Sequence, residues 1–190
     1  PQNSNNIQRS PFEISDFWKH SISVAVMSKF IATHTKLSSP EDAFTAGLLH
    51  DIGKIILANF FPDELVRILQ KIEKNGVTFY DAEKALDMPT HSLMGSILAK
   101  RWMLPTAMIE SIKYHHMGKT GTSNGHLTDV VRMSDRILHM MEGDNSHHLE
   151  LESFESNVKD SAMKFFQRNP EWFKSISIEM KKACEFLERE

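Results

Sequence analysis

The sequence predicts an all-α protein, and three observations predict it. Apolar residues recur at spacings of three and four along most of the chain. Helix-start and helix-stop residues punctuate those stretches. No alternating apolar–polar pattern of useful length appears. Hydrophobic residues make up 41% of 190 residues, a normal globular level and enough for one sizeable core.

About nine helices are expected. Residues 1–10 are polar, and 1–13 read as a flexible lead-in. A helix begins near Ile14, with Ser15 or Asp16 as its N-cap. Phe17, His20, Val24, Met27 and Ile31 then share one face. Ser39-Pro40 restarts the chain as cap and first turn of a helix that carries Phe44, Gly47 and Leu48 into His50-Asp51. Gly53 marks a turn or a close approach. Ile55 to Phe60 is an apolar run short enough for a strand, but its helical surroundings make it buried helix. Pro62 opens the next helix, which runs to about Lys74 and closes at Asn75-Gly76. Thr78 caps a helix holding Glu83 and Leu86. A helix from about His91 to Trp102 follows Pro89-Thr90, and another from Thr106 ends in His115-His116. Residues 117–125 form a glycine-rich loop, His126 to Met141 a helix, and Gly143 to Glu152 an acidic loop. Two final helices lie near Phe154–Gln167 and Glu171–Leu187, the last burying Phe173, Ile176, Met180, Cys184 and Leu187. The organisation expected is a lead-in (1–13), a core (14–142) and a helical extension packed on it (143–190).

Composition narrows the function. The formal net charge is -3 and no dense Lys/Arg run occurs. A nucleic-acid polymer is therefore not an expected partner, whereas a small phosphate-bearing ligand is compatible. The single cysteine, Cys184, rules out a disulfide framework and points to a reducing, cytoplasmic compartment. No apolar run approaches the roughly 20 residues that cross a bilayer, so no membrane association is expected. The chain starts at Pro1 rather than a methionine and carries no visible signal peptide. It is expected to be a piece of a longer protein with upstream domains.

The chemistry-bearing residues sit in an unusual place. His20, His91, His115, His116 and Asp135 all fall on apolar helix faces, and His50-Asp51 ends one. An ionised carboxylate buried alone costs several kcal/mol, so Asp135 must find a cation or a metal. One inward histidine is commonly just a satisfied core residue. Seven such imidazoles and carboxylates together point to a divalent metal, which both donor types suit. Adjacent helical residues lie about 100° apart, so His50 and Asp51 converge only where the helix ends or distorts, and Gly53 provides that break. Lys54 could meet an anionic substrate as a point charge, or be a solvated helix-end lysine.

Other signals read as ordinary. His147-His148 belongs to a solvated acidic loop. His34, His126 and His139 are expected at the surface or on helix flanks. Met117-Gly118-Lys119-Thr120-Gly121 lacks the full phosphate-loop pattern and a preceding strand; its glycines would suit a lid. The 11 methionines are core filler.

The segment Ala46-Gly47-Leu48-Leu49-His50-Asp51-Ile52-Gly53-Lys54 resembles the HD-x-G-K signature of the HD metal-dependent phosphohydrolase superfamily. Phe17-Trp18-Lys19-His20-Ser21 resembles its first-histidine helix. His91-Ser92-Leu93-Met94-Gly95, Arg101-Trp102-Met103-Leu104-Pro105, Ile112-Lys113-Tyr114-His115-His116 and Arg132-Met133-Ser134-Asp135-Arg136 extend the likeness, which is closest to bacterial HDOD signalling domains. The resemblance spans roughly residues 14–142 and implies an HD-domain helical bundle. By likeness to the HD-GYP phosphodiesterases, His20, His50, Asp51 and Asp135 would surround one metal. Asp51, His91, His115 and His116 would surround a second, with Asp51 as bridge and catalytic residue. Lys54 would assist at the substrate phosphate or the attacking water. Two ions, iron or manganese by preference and otherwise zinc, cobalt, nickel or magnesium, are implied. No Asp-Gly-x-Gly-Tyr-Pro loop follows His115-His116, so cyclic-di-GMP specificity is not implied. The expectation is a cytoplasmic signal-transduction domain that acts as a phosphohydrolase or phosphodiesterase on a nucleotide or phosphate ester. The alternative is a catalytically silent module that keeps the metal. An upstream sensor or receiver domain and a homodimer are compatible partners.

Overall fold

The computed structural model describes residues 12–117, 125–141, 154 and 156–185. Ten α-helices make up its regular structure: α1 (Ile14–Thr35), α2 (Pro40–Leu49), α3 (Gly53–Phe60), α4 (Pro62–Asn75), α5 (Phe79–Ala85), α6 (His91–Arg101), α7 (Thr106–Tyr114), α8 (Gly125–Met141), α9 (Ser156–Arg168) and α10 (Trp172–Cys184). No strand occurs among the described residues. The class is all-α, as the periodicity predicts. The tip of the 117–125 loop, His147-His148 and Leu187 lie outside the described residues, as do most of the lead-in and all of the acidic loop.

Local chemistry sets most boundaries. The Ser39 hydroxyl accepts from the Asp42 amide at 3.3 Å, with Pro40 as the first helical residue. Thr78 and Thr90 cap α5 and α6 in the same way, accepting from the Asp81 and Leu93 amides. Gly76 ends α4 in the left-handed conformation, φ 61°. At α1 the sequence expectation fails: Glu13 is the N-cap residue, without a side-chain cap bond. Asp16 instead occupies the first turn, where its charge complements the helix dipole.

Two apolar clusters form the interior. The larger joins Val24, Met27 and Ile31 of α1 to Ala43 and Ala46 of α2, Val130, Val131 and Met133 of α8, and Ile176 and Met180 of α10. The smaller gathers Leu57 of α3, Ile68 of α4 and Ala82 of α5. In α10 the expected stripe is revised. Phe173 is 49% exposed, and Trp172 packs against the core instead. Trp102, expected as the last residue of the His91 helix, is its C-cap and half exposed.

Close backbone approaches position the chemistry. A Cβ at Gly47 would lie 2.9 Å from the Ala25 Cα, so α1 and α2 touch where only hydrogen fits. A Cβ at Gly53 would lie 1.9 Å from the His91 carbonyl oxygen, which seats α3 against the start of α6. Gly53 is thus a close approach rather than a turn.

Candidate metal centre

His50 and Asp51 lie where α2 gives way to α3. The chain stays in helical dihedral space (His50 φ -54°, ψ -37°; Ile52 φ -55°, ψ -22°). Its hydrogen bonds shorten to three-residue steps: Ile52 N–H to Leu49 O, Lys54 N–H to Asp51 O and Ile55 N–H to Ile52 O. Three-residue steps bring positions three apart into line, as with Asp51 and the Lys54 ammonium that bonds to it. His50 and Asp51 are both buried and point into one space.

All seven residues expected as ligands meet there, together with Lys54. Asp51 is central. Its Oδ1 lies 3.1 Å from His91 Nε2 and 3.7 Å from His115 Nε2. Its Oδ2 lies 3.4 Å from His50 Nε2 and 3.9 Å from His20 Nε2, and accepts from the Lys54 ammonium. Asp135 of α8 approaches His20 at 3.1 Å and His50 at 3.6 Å through Oδ1. His116 Nε2 stands 3.0 Å from His91 Nε2. Asp51, His91, His115 and His116 form one group able to hold an ion, and His20, His50 and Asp51 another.

The donor set fits a metal for a reason independent of ligand type. Three rings are fixed from behind. His50 Nδ1–H donates to Gly47 O at 2.7 Å, His115 Nδ1–H to Ile112 O at 2.8 Å, and His91 Nδ1–H to Glu83 Oε2 at 2.8 Å. Each Nε2 therefore faces the shared space, the arrangement of a ligating histidine. His50 Nε2, His115 Nε2 and Asp51 Oδ1 are buried without a hydrogen-bond partner. The 3.1 Å approach of His91 to Asp51 Oδ1 is close but not aligned as a hydrogen bond. Three orphaned donors of lone pairs at one point are costly to bury without a cation between them.

The electrostatics divide the rings: burial opposes protonation of His50 and His91, but Asp51, with Asp135 at the first and Glu83 at the second, outweighs it and raises both. Burial pushes the His115 imidazole down to about 4, against the opposing pull of Asp51. Burial and the neighbouring charges of His115 and His91 hold His116 well below the usual range. Both rings are neutral at pH 7, the state that binds metal. Burial acts to raise Asp51, but its neighbours His50 and Lys54 outweigh it and hold the carboxyl well below its usual range. Burial likewise opposes ionisation of Asp135, whose hydrogen bonds from His139 and His20 prevail.

Two participants escape the sequence reading. His139, expected at the surface or on a helix flank, lies 3.4 Å from Asp135 and its ring is 4.9 Å from that of His20. The signal available was its i+4 spacing from Asp135 on one helix. Glu83 is fully buried; its Oε1 accepts from the His91 amide at 2.6 Å and its Oε2 from the His91 ring. An acidic residue one position after buried Ala82, on the apolar face of a short helix, was its trace. Carboxylates behind ligating histidines fix tautomer and ring orientation. Glu83→Gln puts a donor where one of those acceptors stood. Metal affinity should fall by ~10–100-fold, measured by chelator competition on the refolded apo-chain.

A pocket of about 470 Å³ opens onto the centre, lined by Phe12, Phe17, Lys19, His20, Asp51, Lys54 and His139 among others. No helix among the described residues is long and apolar enough to cross a membrane.

Helices around a buried His/Asp cluster with a lysine at its rim define a protein of the HD-like class. The HDOD domain model matches residues 2–117, and the chain belongs to the HDOD domain family. Asp135 and His139 come from beyond the matched span. Among solved structures, a Geobacter sulfurreducens HDOD domain protein of unknown function superposes with a TM-score of 0.71 and 23% identity, over 93% of this chain and 63% of that one. A Shewanella amazonensis SB2B protein described as "Putative phosphohydrolase" superposes with a TM-score of 0.66 and 20% identity, over 92% of this chain and 65% of that one. At such identities the likeness shows the fold. An uncharacterized protein of Treponema pallidum (strain Nichols) is 27% identical over 75 residues, 40% of this chain and 15% of that protein. The chain thus spans less than two thirds of each of these relatives.

Proposed function

We propose that this chain is a signal-transduction domain whose His/Asp centre holds two divalent ions, iron or manganese by preference, and hydrolyses a nucleotide or other phosphate ester. The observation that carries this reading is the set of three back-pinned histidines whose Nε2 atoms converge on Asp51. Such a pair of ions, when bound, supplies Lewis-acid activation of water and of the phosphoryl oxygens. His20, His50, Asp51 and Asp135 would hold one ion, and Asp51, His91, His115 and His116 the other. The rest of the work belongs to the pocket. Lys54 and Lys19 line it and offset the charge of a phosphate as point charges. Phe12 and Phe17 line the same pocket and give a flat organic group an apolar wall. The Lys54 ammonium also bonds to Asp51 and sits 4.9 Å over the Phe79 ring, so its head is held at the rim rather than free in solvent.

That commitment of Lys54 to Asp51 also favours a second reading, a catalytically silent signalling module that keeps the metal. Turnover separates the two. With added Mn²⁺, the chain is expected to hydrolyse bis(p-nitrophenyl) phosphate slowly, and Asp51→Ala to fall to background. A metal-loaded chain inert on that ester and on a panel of nucleotides would select the silent module. In either case the domain is read as a cytoplasmic one under a sensor or receiver domain, with 14–142 as its core and 143–190 as an extension.

A further inference from the structure

We propose that His139 is a fifth protein ligand of the ion that His20, His50, Asp51 and Asp135 would hold (the outer ion), which leaves that ion at most one exchangeable position and puts the exchangeable positions mainly on the ion that Asp51, His91, His115 and His116 would hold (the inner one). The inference rests on the metal-centre reading and deepens it. Around an octahedral ion with ~2.1 Å bonds, neighbouring donors lie ~3 Å apart and opposed donors ~4.2 Å apart. The five carboxylate–imidazole pairs with a contact at the outer position fall in that range. Asp135 Oδ1 is 3.1 Å from His20 Nε2, 3.6 Å from His50 Nε2 and 3.4 Å from His139 Nε2. Asp51 Oδ2 is 3.4 Å from His50 and 3.9 Å from His20. His20, Asp135 and His139 by themselves place one donor atom each within 4.8 Å of the other two.

The sequence makes this local geometry easy. Asp135 and His139 are one turn apart on α8 and so project from the same face. The backbone needs no rearrangement to present both. His139 also lines the pocket beside His20 and Asp51, so its imidazole would stand on the pocket side of an ion held there.

Three imidazoles and two carboxylates then surround the outer ion. Such a set suits a six-coordinate ion such as Mn²⁺ or Fe²⁺ better than a tetrahedral one. The inner group, Asp51, His91, His115 and His116, supplies four donors. An octahedral ion there keeps two positions for a phosphate oxygen and water. The two ions consequently divide the labour: the outer is held, and the inner exchanges.

The test uses the whole chain stripped of metal and titrated with Mn²⁺ in competition with a chelator, alongside His139→Ala, His139→Gln and the distant His34→Ala. The wild type is expected to bind ions in two affinity classes. His139→Ala should weaken one class at least tenfold and leave the other unchanged, with imidazole in the buffer restoring part of the loss. The visible spectrum of the Co²⁺-loaded chain should change with it. His139→Gln, which keeps bulk and offers a weaker donor, should lie between, and His34→Ala should match the wild type. Unchanged affinities and an unchanged Co²⁺ spectrum in both His139 variants would overturn the proposal. Equal losses in the two without imidazole rescue would overturn it too, because they would mark a packing role. A wild-type chain that takes up no ion would sink the metal-centre reading itself.

Discussion

Asp51→Ala is expected to abolish metal uptake at both proposed positions. Asp51 is the one ligand candidate that presents an oxygen to each side: Oδ1 to His91 and His115, Oδ2 to His50 and His20. Its removal should exceed the ~10–100-fold affinity loss expected for an outer-shell partner. A ligand present at 100 times its Kd stabilises a folded chain by ~2.7 kcal/mol, which at this size raises Tm by roughly 5–10 °C. The wild type should show that rise on addition of Mn²⁺ and Asp51→Ala should not. The same substitution leaves the largely buried Lys54 ammonium without its carboxylate, a loss of ~3–5 kcal/mol when one partner of a buried pair is removed. Asp51→Asn separates the two effects. It keeps the shape and an acceptor for Lys54, so its metal-free Tm should exceed that of Asp51→Ala while its metal response is also lost. A normal Mn²⁺-induced rise in either variant would show that Asp51 is not the bridge.

Gly53→Ala should be the most damaging single methyl in the core. Its Cβ would come within 1.9 Å of the His91 carbonyl oxygen, 2.6 Å of the His91 carbonyl carbon and 2.9 Å of the Gly95 amide nitrogen. These are backbone atoms of α6 and cannot swing aside as a side chain would. Helices α3 and α6 must separate, at a cost at the upper end of the ~1–3 kcal/mol typical of overpacking or beyond it. A fall in Tm of about 6–12 °C follows for a chain of this size. Because His91 sits at the contact, metal affinity should fall in parallel, which a thermal melt with and without Mn²⁺ reads directly. A fall below ~2 °C would contradict the close approach.

The contrast between Asp135 and His139 shows what the sequence carries. Asp135 was legible because a carboxylate on an apolar face is expensive and demands a partner. His139 was not, because a histidine near the end of an amphipathic helix has a cheap solvated alternative, and only the third dimension brings His20 beside it. The helices were legible wherever capping residues and periodicity agreed, as at Ser39-Pro40, Thr78 and Thr90. At α10 one position of phase separated Phe173 from Trp172, and both are aromatic, so the apolar pattern could not choose between them. Glu83 was hidden for a different reason. Its partner is eight residues away across the α5–α6 turn, a distance at which no helical periodicity operates. The meeting of His50 with Asp51 was anticipated, but the part assigned to Gly53 was not the one it plays. Gly53 does not break the helix by its own flexibility; it lets α6 press close while the hydrogen bonds tighten to three-residue steps.

The most direct test of the centre is elemental analysis of the chain purified without chelator. The proposed metal centre predicts transition metal, iron or manganese foremost, at one to two ions per chain, removed by chelator and absent from Asp51→Ala. A wild-type chain free of transition metal, unable to take up Mn²⁺, Fe²⁺ or Zn²⁺ after purification and indifferent to His50→Ala in its melting temperature, would contradict it.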